Sequence, residues 1–321
     1  MTEATSADVA RLAGVSRATV SHILNGRGQR FTAATHEKVR RAVEELHYRP
    51  SPAGRALVRG RSDLVVALIP YTTFGTNLQD AIDRLSAEVA TIGLKVVVRL
   101  AGPDLTGTVE ALLDLRPAAV LDWDTLPAAD RDTLRTAGVA LIDAASTRLN
   151  QDAGRLLTVA VLARGPRTLL YAALLDTRSD IFGPDRYAGM AAEAADRGLP
   201  APDLVAVPLD PAGAAVALQP HFAAGTPLAI GCYNDEVAIA VLSAARTHGR
   251  TVPAEVTVAG VDHTPVGQLI TPRLTTIRVD SSHLLGTTAR LLADALQAPA
   301  PSPPVTAPTQ PALRLIPGET T

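Results

Sequence analysis

A single cysteine, Cys232, stands among 321 residues, so neither a disulfide scaffold nor a multi-cysteine zinc or iron–sulfur site can be built, and a reducing compartment suits the chain. Aromatic residues are scarce, with four Phe, five Tyr and one Trp, so their positions are informative. No apolar run reaches the roughly 18 residues of a membrane helix, and the opening MTEATSADVARLAG lacks the apolar core of a signal peptide. A cytoplasmic protein with no membrane association is expected. There is no G-x-x-x-x-G-K-[ST], no G-x-S-x-G and no H-E-x-x-H, and the seven histidines are scattered; no catalytic site, cofactor or metal is expected. Cys232 closes an apolar run and reads as a packed thiol.

What is present is enough for real cores: 47% of residues are hydrophobic and the mean hydropathy is +0.16, which excludes global disorder. The length suits about two domains and an appendage, since single cores seldom grow past ~250 residues. The net charge of −2 hides an asymmetry, because residues 1–61 hold 11 Lys+Arg against 5 Asp+Glu and the remainder 19 against 27. A head of +6 on a body of −8 points to a polyanion bound at one end.

The head reads as helices between tight turns. Thr5 and Asp8 have capping-box spacing, Val9, Ala10 and Ala13 share a face, and Gly14 ends the first helix. Ser16 opens a second, Arg17 to Leu24, with Val20, Ile23 and Leu24 inward; Thr32 or Thr35 opens a third with the stripe Val39, Val43 and Leu46. Two short helices joined by Ala-Gly-Val make a helix-turn-helix, whose second helix lies in the major groove. Its outward residues are Arg17, Ala18, Ser21 and His22. Arginine can fork onto guanine, Ala18 offers methyl contact, and His22 can donate to a base or phosphate. The hydroxyls of Ser16, Thr19 and Ser21, with Asn25, suit phosphate oxygens. A protein-docking module could share this surface; the charge favours DNA.

From Ser62 onward, short β-rich runs alternate with helical ones: 64–69, 95–99, 118–121, 139–142, 168–174, 204–207, 228–231 and 256–260, with helices such as 77–92, 184–197 and 235–247 between them. Near-continuous apolar strands, each followed by a helix, predict an α/β fold with parallel sheets covered on both faces. Two doubly wound lobes are expected, with a closed eightfold barrel as the alternative; the lack of a strand between Asp143 and Thr168 favours lobes. Six prolines within residues 299–311 mark an extended connector, and LRLI (313–316) a closing strand. Ligands bind beyond the carboxyl ends of such strands. There lie Tyr71 and Phe74, Trp123, Asp143, Phe182 and Arg186, Tyr233 and Asn234, and Asp262. Rings together with arginine, amide and carboxylate groups suit a small polyhydroxylated ligand. The alternative for Asn234 and Asp262 is a cap that ends a strand or starts a helix.

The segments TSADVARLAGVSRATVSHILNG and THEKVRRAVEELHYRPSPAGRAL resemble the DNA-binding head and hinge of the lactose-repressor (LacI/GalR) family of bacterial transcription regulators. The resemblance implies a helix-turn-helix head (1–49), a hinge helix (50–61) and a two-lobed effector-binding and dimerisation body (62–321) of the periplasmic-binding-protein type. It implies base reading by Arg17, Ala18 and His22, where His22 replaces the usual arginine. In the hinge it implies a minor-groove wedge at Leu57, with Arg55 near phosphate and Gly54 in place of the usual alanine. RYAG (186–189), NDEVAIAVLSAAR (234–246) and VTVAGVDH (256–263) resemble the family's effector motifs, which imply contacts from Arg186, Asn234, Asp262 and Asp143. LTTIR (274–278) resembles the crossover back to the first lobe. The expectation is a homodimeric repressor on a double-stranded, pseudo-palindromic operator in the nucleoid, controlled by a small-molecule effector, a sugar first and a nucleoside-like compound second. The alternative is a cytoplasmic binding protein or enzyme whose basic head docks a protein partner.

Overall fold

Thr5 donates its amide and hydroxyl to the Asp8 carboxylate at 2.9 and 2.6 Å, which starts α1 (Ser6–Ala13) as the spacing predicts; Gly14, at φ 65°, ends it in the left-handed region where glycine is least strained. These features come from a computed structural model that describes residues 4–24, 28–48, 62–72, 76–144, 147–176, 178, 180–280, 282–296 and 312–321. In α2 (Arg17–Leu24), Ser16 Oγ accepts the Thr19 amide at 3.0 Å. Thr32 caps α3 (Ala33–Glu45) through the Thr35 amide, so of the two threonines the first opens the helix. Val9, Ala10, Ala13, Val20, Val39 and Ala42 form the head's core, with Ile23, Leu24, Val43 and Leu46 packed around it. The hinge at 50–61 and the proline-rich stretch at 299–311 lie outside the described residues.

The chain divides into two compact units, residues 1–64 with 111–118, and residues 65–110 with 119–321. The second unit carries two sheets. The first has the order β2-β1-β3-β4, from β1 (Leu64–Ile69), β2 (Lys95–Leu100), β3 (Ala119–Asp122) and β4 (Ala140–Asp143). Its connecting helices are α4 (Thr76–Ala90), α5 (Thr108–Asp114) and α6 (Ala128–Thr136). Val65, Leu85, Val89, Ala119, Leu121 and Ile142 make the first lobe's core.

The second sheet has the order β10-β9-β8-β7-β5-β6. Its strands are β5 (Thr168–Leu174), β6 (Asp203–Val207), β7 (Leu228–Cys232), β8 (Val256–Val261), β9 (Thr275–Val279) and β10 (Leu313–Ile316), and only β10 runs antiparallel to its neighbour. Around it lie α7 (Thr147–Val161), α8 (Gly183–Asp196), α9 (Pro211–Ala223), α10 (Asp235–Thr247) and α11 (Pro265–Leu269). After β9, α12 (Ser282–Ala295) places Leu292 in the first lobe's core. Two separate sheets rule out the barrel alternative. The strandless stretch after Asp143 is α7, whose Gly154 meets α8 backbone to backbone: a β-carbon there would lie 2.0 Å from the Arg186 carbonyl oxygen, and one at Gly189 would lie 2.0 Å from that of Gln151. The glycine of the RYAG motif is therefore needed for helix packing.

Candidate functional site

On the head, α2 exposes Arg17 and Ala18 on the face opposite Val20, while Thr19, Ser21 and His22 are half-buried. The Ser16 and Thr19 hydroxyls lie 2.9 Å apart, so both also serve the start of the helix. The His22 ring tilts toward Phe31 at a centroid distance of 6.4 Å, and the Arg30 guanidinium sits 5.0 Å above the Phe31 ring. Sequence reasoning missed Arg30 and Phe31 because they fall between helices, where periodicity says nothing. Asn25, Gly54, Arg55 and Leu57 lie outside the described residues, as does Phe74 in the body.

At the carboxyl end of the second sheet the centre is Arg186, on the first turns of α8 and only 6% exposed. Its Nη1 donates to the Tyr233 carbonyl and its Nε to Asn150 Oδ1 at 3.2 Å. The guanidinium lies 5.4 Å from the Phe182 ring centre and 5.2 Å from that of Tyr233, a cation–π arrangement on two rings. Asp180 accepts the Gly183 and Phe182 amides at 2.6 and 3.2 Å and so fixes the start of α8. The buried Tyr171 hydroxyl has no hydrogen-bond partner among the described residues, and burial pushes its pKa up beside Arg186 and Asp180. A buried cation bonded on two sides is fixed in place, which pre-organises the guanidinium.

Asn234 follows Tyr233 and is the N-cap of α10, accepting the Val237 amide at 2.9 Å; the cap reading of this residue holds, and it does not preclude ligand contact. Tyr233 itself is 2% exposed, so its ring supports Arg186 rather than forming an open platform. Asp262 lies just beyond β8 at φ 106°, with His263 at φ 51°, two consecutive left-handed residues without glycine. Such strain persists only where surroundings enforce it. Here the Asp262 amide is held by the Ile277 carbonyl and the His263 amide by the Thr276 hydroxyl; the fully buried Asp235, which accepts from Thr276 and Thr264, was missed from sequence because it sits inside the N-D motif beside the more obvious Asn234.

In the first lobe, Asp143 is exposed at the end of β4, and Trp123, at the end of β3, packs against the lobe's core. Arg131 of α6 joins the strand ends, lying 2.8 Å from Asp122 and 3.0 Å from each of Asp124 and Asp143. No spacing rule pointed to Arg131, whose role depends on three carboxylates brought together by the sheet. A groove of about 640 Å³ between the start of α9 and one face of α10, lined by Arg178, Asp210, Glu236, Ile239 and Arg246 among others, contains none of the candidate ligand residues. No group of His, Cys, Asp and Glu that could hold a metal is found among the described residues.

Residues 5–51 match the bacterial regulatory proteins of the lacI family, and residues 160–321 match the periplasmic binding protein-like domain. The regulator GalR of Salmonella typhimurium is 30% identical over 94% of this chain and 92% of its own length. The chain belongs to the lacI family. The repressor PurR of Vibrio parahaemolyticus is 29% identical over 85% of this chain and 86% of its own. Both relatives are transcriptional regulators, and this lacI-family chain is likewise a DNA-binding regulator and not an enzyme. In fold it is similar to the lac repressor dimer bound to operator and the anti-inducer ONPF, with a TM-score of 0.76 and 22% identity over 99% of each chain. It is also similar to the CelR–cellobiose complex, with a TM-score of 0.62 and 21% identity over 99% of this chain and 100% of the other. No helix among the described residues of this lacI-family regulator is long and apolar enough to cross a membrane.

Proposed function

We propose that this regulator is a homodimeric repressor in the nucleoid, and that a small polyhydroxylated effector, a sugar before a nucleoside-like compound, governs its hold on a pseudo-palindromic operator. Residues 1–49 read DNA, 50–61 form the hinge, and 62–321 bind effector and dimerise. Arg17, Ala18 and His22 meet base edges; Ser16, Thr19, Ser21 and Asn25 meet phosphates; Leu57 wedges a central base step in the minor groove, flanked by Gly54 and Arg55. Effector contacts come from Arg186, Asn234 and Asp262 in the second lobe and from Phe74, Trp123 and Asp143 in the first, with Tyr233 beneath the Arg186 guanidinium.

The observation that carries the effector reading is Arg186, a buried guanidinium held against two rings by Tyr233 and Asn150 at the carboxyl end of a parallel sheet, where ligands of such folds bind. An arginine placed only to stabilise the lobe needs neither the rings nor this position. Support for the dimer and the operator comes from the lac repressor, similar in fold over 99% of both chains and solved as a dimer on its operator. The test is a thermal-shift screen of sugars and nucleosides, since a ligand at 100 times its dissociation constant adds ~2.7 kcal/mol. A binder should stabilise the wild type, lose its effect on Arg186→Ala, and change retention of duplex DNA. Binders that stabilise both proteins equally would reject the site.

A further inference from the structure

Asp235 has no exposed surface, and its carboxylate accepts three hydrogen bonds from two other segments of the chain. It stands at the first position of α10, directly after the β7 loop that carries Tyr233 and Asn234. Thr276 of β9 donates its hydroxyl to Oδ1 at 2.5 Å. Thr264, which caps α11, donates its amide to Oδ2 at 2.6 Å and its hydroxyl at 3.0 Å. The relay extends one step further, because the His263 amide donates to Thr276 Oγ1 at 3.1 Å. The Asp262 amide is then held by the Ile277 carbonyl of β9 at 2.9 Å. Both of these backbone bonds of the left-handed pair Asp262–His263 end on β9, and Asp235 holds the Thr276 hydroxyl that takes the second and the Thr264 amide that follows the pair.

The packing leaves room for this carboxylate and nothing more. A β-carbon on Gly260 would lie within 2.3 Å of Asp235 Oδ1, and one on Gly267 within 3.3 Å of Oδ2. Three donors converge on two oxygens, which suits an acceptor-only side chain: Asp235→Asn can keep its oxygen toward Thr264 only by turning its NH2 to Thr276, whose hydroxyl must then reverse from donor to acceptor while it already accepts the His263 amide. A buried charge used only to fill space is replaced at lower cost by an apolar residue. The ionised carboxylate is explained by what it orders.

We propose that Asp235 is a positioning residue for the effector pocket: it ties the turn after β8 to β9 and so holds Asp262 at the carboxyl end of the sheet, beside the Tyr233–Asn234 loop. This rests on the effector reading of Asp262, while the geometry that Asp235 imposes can be measured without any ligand.

The experiment is hydrogen exchange on the full-length protein at fixed pH, comparing wild type with Asp235→Asn, Thr276→Val and Thr276→Ser. In Asp235→Asn and Thr276→Val, the amides of residues 262–264 should exchange about tenfold faster, the effect of losing one buried hydrogen bond, with α7 and α8 unchanged. Thr276→Ser keeps the hydroxyl and should match wild type. Unchanged exchange at 262–264 in Asp235→Asn and Thr276→Val would overturn the proposal, as would acceleration spread evenly over the second lobe. If Asp235→Asn does not fold, the contrast between Thr276→Val and Thr276→Ser decides. An Asp262→Ala protein that binds every screened metabolite as well as wild type would sink the effector reading alone and leave the exchange result standing.

Discussion

The carbonyl oxygen of Arg186 occupies the space that a β-carbon on Gly154 would need, only 2.0 Å away. Four residues before Gly154, Asn150 accepts from the Arg186 Nε, so the contact that lets α7 and α8 meet also sets the depth of the guanidinium. Replacing Gly154 with Ala forces the helices apart at a site without slack. Overpacking of this kind costs about 1–3 kcal/mol, and urea unfolding should show the loss. Because the shift displaces Arg186 from Asn150, ligand affinity should fall as well. A variant as stable as wild type would mean the helices yield freely and that glycine is not required there.

Arg186→Lys keeps the positive charge and removes the planar fork. A lysine ammonium cannot hold the Tyr233 carbonyl and Asn150 together while keeping a planar cation against the Phe182 and Tyr233 rings. At least one of these two bonds to the guanidinium is lost, at about 1.5–3 kcal/mol of stability. Affinity for whichever metabolite the thermal-shift screen identifies should fall at least about tenfold by calorimetry. Full affinity in the lysine variant would show that charge alone suffices.

The sequence was most legible where local chemistry decides structure. Thr5–Asp8, Ser16 and Thr32 mark their helix starts because a cap is a contact between neighbours in sequence, and strands such as β1 and β5 stand out because both faces are buried. The stretch after Asp143 was not legible, since α7 owes its place to Gly154 and Gly189, a pair that only the folded chain brings together. Within the pocket, Arg186 and Asn234 were visible through their motifs. Their supports were not: Asn150, Asp235 and Arg131 act across 36, 41 and 12 residues, on Arg186, from Thr276 and on Asp143 respectively. No periodicity reports contacts of that span.

Arg17 is exposed at the start of α2, where it is free to reach a base. Arg17→Ala should cost about 1–3 kcal/mol of operator binding and relax selectivity at one base per half-site. Leu57→Ala should weaken operator binding and reduce bending, because an apolar wedge is what unstacks the central step. Binding to single-base operator variants and to random duplex, with bend angles by gel mobility, separates the two effects. Equal loss on operator and random DNA would remove Arg17 from base reading, and an unchanged bend would remove Leu57 from the wedge.

Burial pushes the Asp235 carboxyl up to about 6 from its ordinary 3.8, against the bonds from Thr276 and Thr264 and with help from the charge of Asp262. The folded protein therefore binds a proton at Asp235 between about pH 4 and 6 that the unfolded chain does not, and this group's contribution to stability is lost as pH rises through 6. At 1.36 kcal/mol per unit, ionisation at neutral pH costs about 3 kcal/mol. Around it stand Asp262 and His263 on the turn and Cys232 on β7, with Arg278 and Arg314 beside His263. His263 has its pKa lowered by burial and by those two arginines, so its own share of stability rises with pH and opposes that of Asp235. Comparing wild type with Asp235→Asn cancels the histidine. The difference in unfolding free energy, wild type minus variant, should fall between pH 4.5 and 7 and level off above, as read by urea unfolding with circular dichroism. A flat difference would mean that Asp235 titrates near its solution value, its bonds to Thr276 and Thr264 offsetting its burial, and one that rises with pH would mean that those bonds outweigh burial.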